Sequence, residues 1–208
     1  MMCKPMTDPL LLAGLLCSRL CHDLVGPVGA VVNGVELLAD AEDDDDELRD
    51  QSIALIGDSA AELSARLKFF RLAFGAAHDE GSIGIDELAG LVAPVMQGRR
   101  IALSVEGGRD GVSRVRARLA ALLVLSAADC LPRGGRMILS FDGDQRPLVQ
   151  VTGDRLALPA SHAALLADGR TEVEARTAPL ALALQLAAGL GMRIATVPGE
   201  GTIAFNLA

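Results

Sequence analysis

The amino-acid sequence predicts an α+β protein in which a helical hairpin, paired with a second copy as a dimeric four-helix bundle, is followed by an α/β sandwich. Three observations predict this order. Apolar residues in the first 74 positions recur three and four apart, as in packed helices. Beyond residue 82, short segments typical of strands alternate with helical ones. Between these regions, residues 75–82 (GAAHDEGS) are rich in glycine and polar residues, so we expect domains at 1–76 and 77–208.

The amino-acid composition limits the kinds of molecule that the chain can bind. Half of the 208 residues are apolar, enough for a substantial core, but only 2% are aromatic and none is Trp or Tyr. The aromatic platforms on which single-stranded nucleic acids stack are therefore missing. With 19 basic and 27 acidic side chains, the formal net charge of -8 repels phosphate backbones and anionic membranes. We expect protein partners, and neither a nucleic acid nor a membrane.

The four cysteines predict neither disulfides nor a metal site. They form no CxxC pair and no disulfide framework, which favours a reducing cytoplasm. Cys17, Cys21 and His22 lie close together in the sequence, but no second pair of ligands follows downstream. We therefore expect no bound metal.

Two helices are predicted before residue 75. Asp8 is suited to the N-cap of the first helix and Pro9 to its first position, while the acidic run 42–47 favours the start of the second helix. Because Asp8 and Pro9 precede the apolar stretch, we expect a folded helix and not a secretory signal. The apolar segment 178–192 is too short to span a bilayer.

Each predicted helix carries one apolar stripe. On the first helix the stripe comprises Leu16, Leu20, Leu24, Val28, Val31, Val35 and Leu38. On the second it comprises Ile53, Ile56, Ala60, Leu63, Leu67, Phe70 and Phe74. Because one hairpin of residues 9–74 leaves roughly half of this apolar surface exposed, we infer a homodimer.

His22 is the candidate reactive residue. At about 100° per residue, it lies roughly opposite the apolar stripe and should face solvent. Small or polar residues share its side of the helix: Ser18, Gly26, Gly29 and Asn33. Glycine inside a helix costs about 1 kcal/mol relative to alanine. The glycines at 26, 29 and 34 therefore indicate either close approach of a partner or tight packing within the bundle.

The remainder of the chain predicts helices packed on one face of a mixed sheet. The predicted helices are residues 83–97, 116–130 and 178–189. The predicted strands are residues 101–105, 136–141, 148–151, 192–197 and 202–207.

Residues 20–38 (LCHDLVGPVGAVVNGVELL) resemble the phosphoacceptor box of sensor histidine kinases, with His22, Asp23 and Pro27 at the positions of its histidine, acid and proline. The later segments LLVLSAADCLPRGGRMILSF and LALALQLAAGLGMRIATVPGEGTIAFNL resemble the asparagine box and the end of the ATP-binding domain of these kinases. The resemblance covers nearly the whole chain. It implies that the α/β sandwich is of the histidine-kinase ATPase type.

The chain departs from the kinases at the nucleotide site. Ser126 stands in place of the metal-binding asparagine, and Gly153, Arg155 and Ala157 in place of the adenine-binding Asp-x-Gly-x-Gly. An acceptor box beside a degenerate nucleotide site is similar to the ChpT-type histidine phosphotransferases. That resemblance implies that His22 receives a phosphoryl group from the receiver domain of a hybrid kinase and passes it to receiver domains of response regulators. It implies no cofactor on this chain, Mg²⁺ on the receiver, and control of the bacterial cell cycle.

The resemblance also implies roles for the neighbours of His22. Asp23 would bind the second ring nitrogen, and Gly26, Gly29 and Asn33 would face the partner. Arg19 would either steady the phosphoryl oxygens or be solvated. The remaining histidines, His78 and His162, are expected at the surface.

Three alternatives stay open. The first is a non-catalytic module that binds receivers, and the second is a divergent ATP-dependent histidine kinase. The third is a receiver phosphatase, which usually carries a polar residue one turn after the histidine, where this chain has Gly26.

Overall fold

The computed structural model describes residues 7–42, 45–75, 81–107, 111–168 and 172–208, and it begins with the predicted hairpin. Helix α1 spans Pro9–Asp40 and helix α2 spans Asp46–Phe74. Asp8 caps α1 through a carboxylate that accepts hydrogen bonds from the first turn, and Asp45 caps α2 in the same way. Residues 43 and 44 of the acidic run lie outside the described residues. Both predicted helix starts are confirmed.

The rest of the chain forms strands and helices in the predicted alternation. The strands are β1 (Ser82–Ile83), β2 (Ile101–Val105), β3 (Val112–Ser113), β4 (Gly135–Phe141), β5 (Pro147–Thr152), β6 (Ile194–Gly199) and β7 (Thr202–Leu207). The helices are α3 (Ile85–Gln97), α4 (Arg114–Ala128), α5 (Ala160–Asp168) and α6 (Ala178–Gly189). The main sheet has the order β2-β4-β5-β7-β6, with β2 and β4 parallel and the other pairs antiparallel. This mixed sheet, following a helical hairpin, confirms the α+β class.

Two short features shift the predicted boundaries. Strands β1 and β3 pair with each other, so α3 begins at Ile85 and not at residue 83. Helix α4 likewise follows β3 directly and spans 114–128 rather than 116–130. Helix α5 was not predicted at all, because its nine residues carry no regular apolar period.

The hairpin packs against the α/β half of the chain. Phe69, Phe70 and Ala73 at the end of α2 are fully or almost fully buried in the same hydrophobic core as α4. Near the start of α1, Leu12 packs against residues of α5 and α6 in a second cluster. Residues 76–80, where the predicted division between domains falls, lie outside the described residues. The end of α2 and the start of α1 are thus both packed against the α/β half.

The three glycines of α1 differ in their surroundings. A Cβ added to Gly34 would lie 2.7 Å from Ile56 Cγ1 and 3.3 Å from the Ser52 carbonyl oxygen, both in α2. Gly34 therefore serves tight packing within the hairpin. A Cβ added to Gly26 or Gly29 would meet nothing within 4 Å. These two glycines leave open space beside the helix.

Much of the hairpin's apolar surface is uncovered in a single chain. Large exposed apolar side chains on the two helices include Val25, Val28, Val32, Val35, Ile53 and Leu67. By length and hydropathy α1 alone, among the described helices, is long and apolar enough to cross a membrane. However, the buried residues of α1 include Arg19, which forms ion pairs within the chain. These exposed residues give the hairpin an apolar face that the chain itself does not cover.

Candidate functional site

His22 lies on α1 at the edge of a cleft between the hairpin and the α/β half. Its side chain is 84% exposed, as predicted from the helical geometry. The cleft is lined by charged residues from both halves of the chain: Arg19, Asp23, Arg99, Asp129 and Arg176. A solvent-facing imidazole therefore stands beside a partly buried ionic network.

Asp23 contacts the imidazole directly. Its Oδ1 lies 3.0 Å from His22 Nδ1, the contact that the resemblance implied, although adjacent residues on a helix usually point apart. An ionised carboxylate can only accept a hydrogen bond, so Nδ1 carries the proton of the neutral ring. The lone pair is then on Nε2, in a side chain that is largely exposed.

The surroundings of Asp23 keep it ionised. Burial by itself raises the pKa of this carboxyl, but the hydrogen bond from His22 and the charges of Arg19 and Arg99 outweigh burial and lower the pKa below its usual value. Arg19 Nε lies 2.9 Å from Asp23 Oδ2, and Arg99 Nη2 lies 3.8 Å from the same oxygen. At neutral pH the carboxylate is thus a fixed acceptor for Nδ1–H.

The backbone of Asp23 is held by a second helix. In an α-helix its carbonyl would accept from the N–H of residue 27, but that residue is proline and has no N–H. Arg66 of α2 fills the gap, because its Nη1 donates to the Asp23 carbonyl oxygen at 3.0 Å. Pro27 and Arg66 together therefore attach α2 to the residue that orients His22.

Asp129 is the centre of the ionic network on the other side of the cleft. It caps the C-terminal end of α4, and its side chain is 8% exposed. One carboxylate oxygen lies 3.1 Å from Arg99 Nη1; the other lies 3.5 Å from Arg176 Nε, 3.6 Å from His162 Nε2 and 3.7 Å from Arg19 Nη1. Asp129 thus joins α1 to three segments of the α/β half.

Arg19 differs from both alternatives that the sequence left open. Its side chain is only 8% exposed, so it is neither solvated nor presented to a partner. It binds Asp23 and Asp129, and its Nη1 also donates to the Arg176 carbonyl oxygen at 3.3 Å. Arg19 acts within the chain, across the junction between hairpin and α/β half.

The prediction that His162 lies at the surface is wrong, because α5 buries it completely beneath Asp129. Both ring nitrogens lack a hydrogen-bond partner. Burial lowers the pKa of His162, against the opposing effect of Asp129 and together with the charges of Arg176 and Arg19. The ring is therefore neutral at neutral pH. His78 lies outside the described residues.

The expected partner-facing residues leave a free surface on α1. Gly26 and Asn33 are exposed, Gly29 is half-buried, and the two glycines have open space around them. The structure places them on α1 without contacts that would block a partner at His22.

Two residues that the resemblance places at the nucleotide site of the kinases, Ser126 and Gly153, contribute to packing here. Ser126 is 1% exposed, and its hydroxyl donates to the Leu122 carbonyl oxygen at 2.9 Å. A Cβ on Gly153 would come within 2.8 Å of Leu131 Cδ2. Across the described ranges, no group of three or more His, Cys, Asp or Glu residues is arranged to hold a metal ion.

Sequence reasoning missed Arg99, Asp129 and Arg176 as site residues. One signal was present, because Asp129 places a negative charge at the C-terminal end of a helix, where the helix dipole disfavours it. Such a residue needs cationic partners. Nothing in the sequence shows which of the 19 basic residues supply them.

Known proteins with similar sequences and folds identify the family. Residues 85–202 match the family described as histidine phosphotransferase C-terminal domain. The protein phosphotransferase ChpT of Brucella abortus (strain 2308) is 33% identical over 201 residues, which cover 94% of each chain. A solved bacterial phosphotransferase has a TM-score of 0.81 at 30% identity, over 97% of this chain and 98% of that chain. The histidine kinase AdeS of Acinetobacter baumannii aligns with a TM-score of 0.46 at 10% identity, over 89% of this chain and 95% of that chain. The chain belongs to the ChpT family of histidine phosphotransferases, the phosphotransfer enzymes of phosphorelays.

Proposed function

We propose that His22 is the phosphoryl carrier, which takes its phosphoryl group from the receiver domain of a hybrid histidine kinase and gives it to receiver domains of response regulators. The observation that carries this proposal is the geometry of one ring. An ionised, buried carboxylate holds Nδ1–H, while the side chain that bears Nε2 is 84% exposed. A nucleophile with a fixed tautomer and open access suits attack on a phosphoryl group held by another protein.

The transfer balances without a proton donor. His22 Nε2 attacks the phosphorus of an aspartyl phosphate, the N–P bond forms, and the P–O bond to the aspartate carboxylate breaks. The ring keeps its proton on Nδ1 and becomes a cationic phosphoimidazole. Asp23 stabilises that positive charge at 3.0 Å, so it lowers the energy of the transition state and of the product.

No bound nucleotide or metal on this chain is needed in the proposed relay. Ser126 is buried and already hydrogen-bonded within α4, so it presents no ligand to a nucleotide-bound metal. The receiver would supply the acceptor carboxylate and Mg²⁺, which neutralises charge during in-line transfer. We place this relay in the cytoplasm, upstream of regulators of the bacterial cell cycle. The free thiols of Cys17, Cys21 and Cys130 suit a reducing compartment.

Phosphoryl transfer to the His22→Ala variant tests the proposal. A receiver carrying a labelled aspartyl phosphate should label the wild-type protein with an acid-labile, base-stable phosphoramidate and leave the variant unlabelled. Because the side chain is exposed, the variant should lose less than ~1 kcal/mol of unfolding free energy and should still bind the receiver. Incubation with labelled ATP and magnesium alone should give no label. Label on the His22→Ala protein would refute His22 as carrier, and receiver binding without transfer to the wild type would favour a non-catalytic module.

The Asp23→Asn variant tests the orienting carboxylate. An amide oxygen can still accept from Nδ1–H but cannot stabilise the positive ring, so transfer should be slower than in the wild type and faster than in His22→Ala. Rate measurements by quench and gel separate the three proteins. Transfer at the wild-type rate would show that the Asp23 carboxylate has no role in the reaction of His22.

A further inference from the structure

The cleft beside His22 carries one more positive charge than its ionic partners balance. Three arginines, Arg19, Arg99 and Arg176, line it together with two carboxylates, Asp23 and Asp129. His162 and Cys130, the other titratable neighbours of Asp129, are buried. Burial lowers the pKa of His162 and raises the pKa of Cys130 to about 12, so both are neutral and add no charge. The excess is therefore present before any phosphoryl group arrives.

The three arginines differ in how far their donors are already used. Arg19 is buried and binds both carboxylates as well as a backbone carbonyl. Arg99 is 24% exposed and binds Asp129 at 3.1 Å. Arg176 is 58% exposed, and the one contact of its guanidinium described within the chain is Asp129 at 3.5 Å. A guanidinium has five N–H donors, so Arg176 keeps several for a ligand.

Arg176 is held in place by one contact of its backbone and one contact of its side chain. Its backbone carbonyl accepts from Arg19 Nη1, which ties this segment to α1 on the same helix as His22. Its side chain leans on Asp129, whose other partners lie on both sides of the cleft. Arg176 is therefore held at the rim of the cleft by a network that does not need its free donors.

We propose that Arg176, with Arg99 behind it, forms the site in this cleft that binds the oxygens of the phosphoryl group on His22, and that Asp129 is the positioning residue that gathers both arginines. The proposal rests on His22 as the carrier. A phosphoryl group on Nε2 bears close to two negative charges, and planar guanidinium groups bind such oxygens in pairs. The α/β half thus contributes the anion-binding wall, and the hairpin contributes the nucleophile.

The test uses His22 phosphorylated by phosphoramidate, so it does not depend on any receiver. Phosphorus NMR titration of phosphohistidine should give a phosphoryl pKa that rises by about 1 unit in Arg176→Ala, because a nearby cation favours the dianion. Subtracting the spectrum of the identically treated His22→Ala protein removes signals from other histidines. Transfer from a phosphorylated receiver should slow about tenfold or more in Arg176→Ala. Arg176→Lys should bring both the phosphoryl pKa and the transfer rate part of the way back to their wild-type values, because lysine keeps the charge but not the paired donors.

Two controls separate binding from folding. Arg193→Ala removes one exposed cation of the α/β half outside the cleft, and it should change neither the phosphoryl pKa nor the transfer rate. Asp129→Asn removes a negative charge from the cleft as well as the contact that gathers the arginines, so its readout is the transfer rate, which should fall as in Arg176→Ala, with a larger loss of thermal stability. A phosphoryl pKa that is the same in wild type and Arg176→Ala would overturn the proposal. Failure of the receiver to label His22, with the pKa difference intact, would instead refute the relay.

Discussion

A buried, neutral histidine beneath a carboxylate is the least expected residue of this site. His162 is 0% exposed, its Nε2 lies 3.6 Å from Asp129 Oδ2, and two arginines contact the same carboxylate oxygen. Because these arginines already compensate the negative charge of Asp129, the imidazole need not be protonated. The uncharged ring therefore only fills space in the core at neutral pH, and its protonation is linked to unfolding.

The folding linkage of His162 predicts that acid destabilises the protein. The pKa of His162 is lowered from its usual 6.5 in the folded state, so the unfolded chain binds a proton that the folded chain resists. Unfolding free energy should fall as the pH drops below about 6.5, by at most ~1.4 kcal/mol per pH unit for this one group. Urea unfolding at pH 7, 6 and 5 measures the slope, which should be shallower in His162→Leu. An equal slope in the variant, or stability that rises on acidification, would contradict this account.

Single residues were predictable from the sequence where the chemistry is local. The exposure of His22 follows from helical geometry, and its contact with Asp23 involves neighbours in the chain. Asp129 and Arg176 meet Arg19 only because α1 packs against the α/β half of the chain, which brings together residues more than 100 positions apart. Helical periodicity identifies the apolar face of a helix, but it does not show which charged residues of other elements that helix will contact.

At the scale of elements, a proline inside α1 connects that helix to α2. Pro27 is buried, and α1 continues through it. The Asp23 carbonyl that loses its helical donor receives Arg66 Nη1 instead. Arg66 also pairs with Glu62 on its own helix, which fixes the guanidinium in place. The carbonyl group that lacks a partner within α1 thus accepts a hydrogen bond from α2.

A double-mutant cycle should show this coupling. Arg66→Ala alone should lower the unfolding free energy by about 1–3 kcal/mol, because it leaves a partly buried carbonyl unpaired. In a Pro27→Ala background the N–H of residue 27 can bond to that carbonyl, so the same change should cost about 1 kcal/mol less. Chemical denaturation of the four proteins gives the coupling energy. Lys68 is an exposed cation two residues further along α2, and Lys68→Ala should be additive with Pro27→Ala. If Arg66→Ala were additive with Pro27→Ala as well, the carbonyl of Asp23 would not exchange one donor for the other.

The sequence predicted long elements better than short ones. The hairpin and α6 follow clear patterns, and both hairpin caps were placed from Asp8 and the acidic run. Helix α5 and the β1–β3 pair are nine and two residues long, too short for a period to emerge. Since α5 is the element that buries His162, the wrong prediction for that residue follows from the failure to predict α5.

For the whole molecule, the exposed apolar face of the hairpin is the main feature that one chain leaves unexplained. Val28, Val35 and Leu67 are each about half exposed. A groove next to them is lined by Leu20, Leu63, Phe70 and Phe74, together with Leu67. Complete burial of such a side chain contributes about 1.5–3 kcal/mol, so covering the exposed half of each contributes about 1 kcal/mol, and several of them together favour association. We propose that a second hairpin covers this face as a four-helix bundle, which leaves His22 and its cleft on the outside of each copy.

A charge placed in this face should separate the two copies while each chain stays folded. Leu67 is 47% exposed in a single chain, so Leu67→Glu should alter the fold of that chain little. In a dimer it would bury two carboxylates without partners, at a cost of several kcal/mol. Light scattering at micromolar concentration should give twice the chain mass for the wild type and the chain mass of 21.6 kDa for Leu67→Glu.

Val197→Glu, at a side chain 52% exposed on β6, is the matched control and should remain dimeric. A monomeric wild type would refute the bundle, and a dimeric Leu67→Glu would place the interface elsewhere. Because each cleft is built from one chain, monomeric Leu67→Glu should still accept a phosphoryl group at His22.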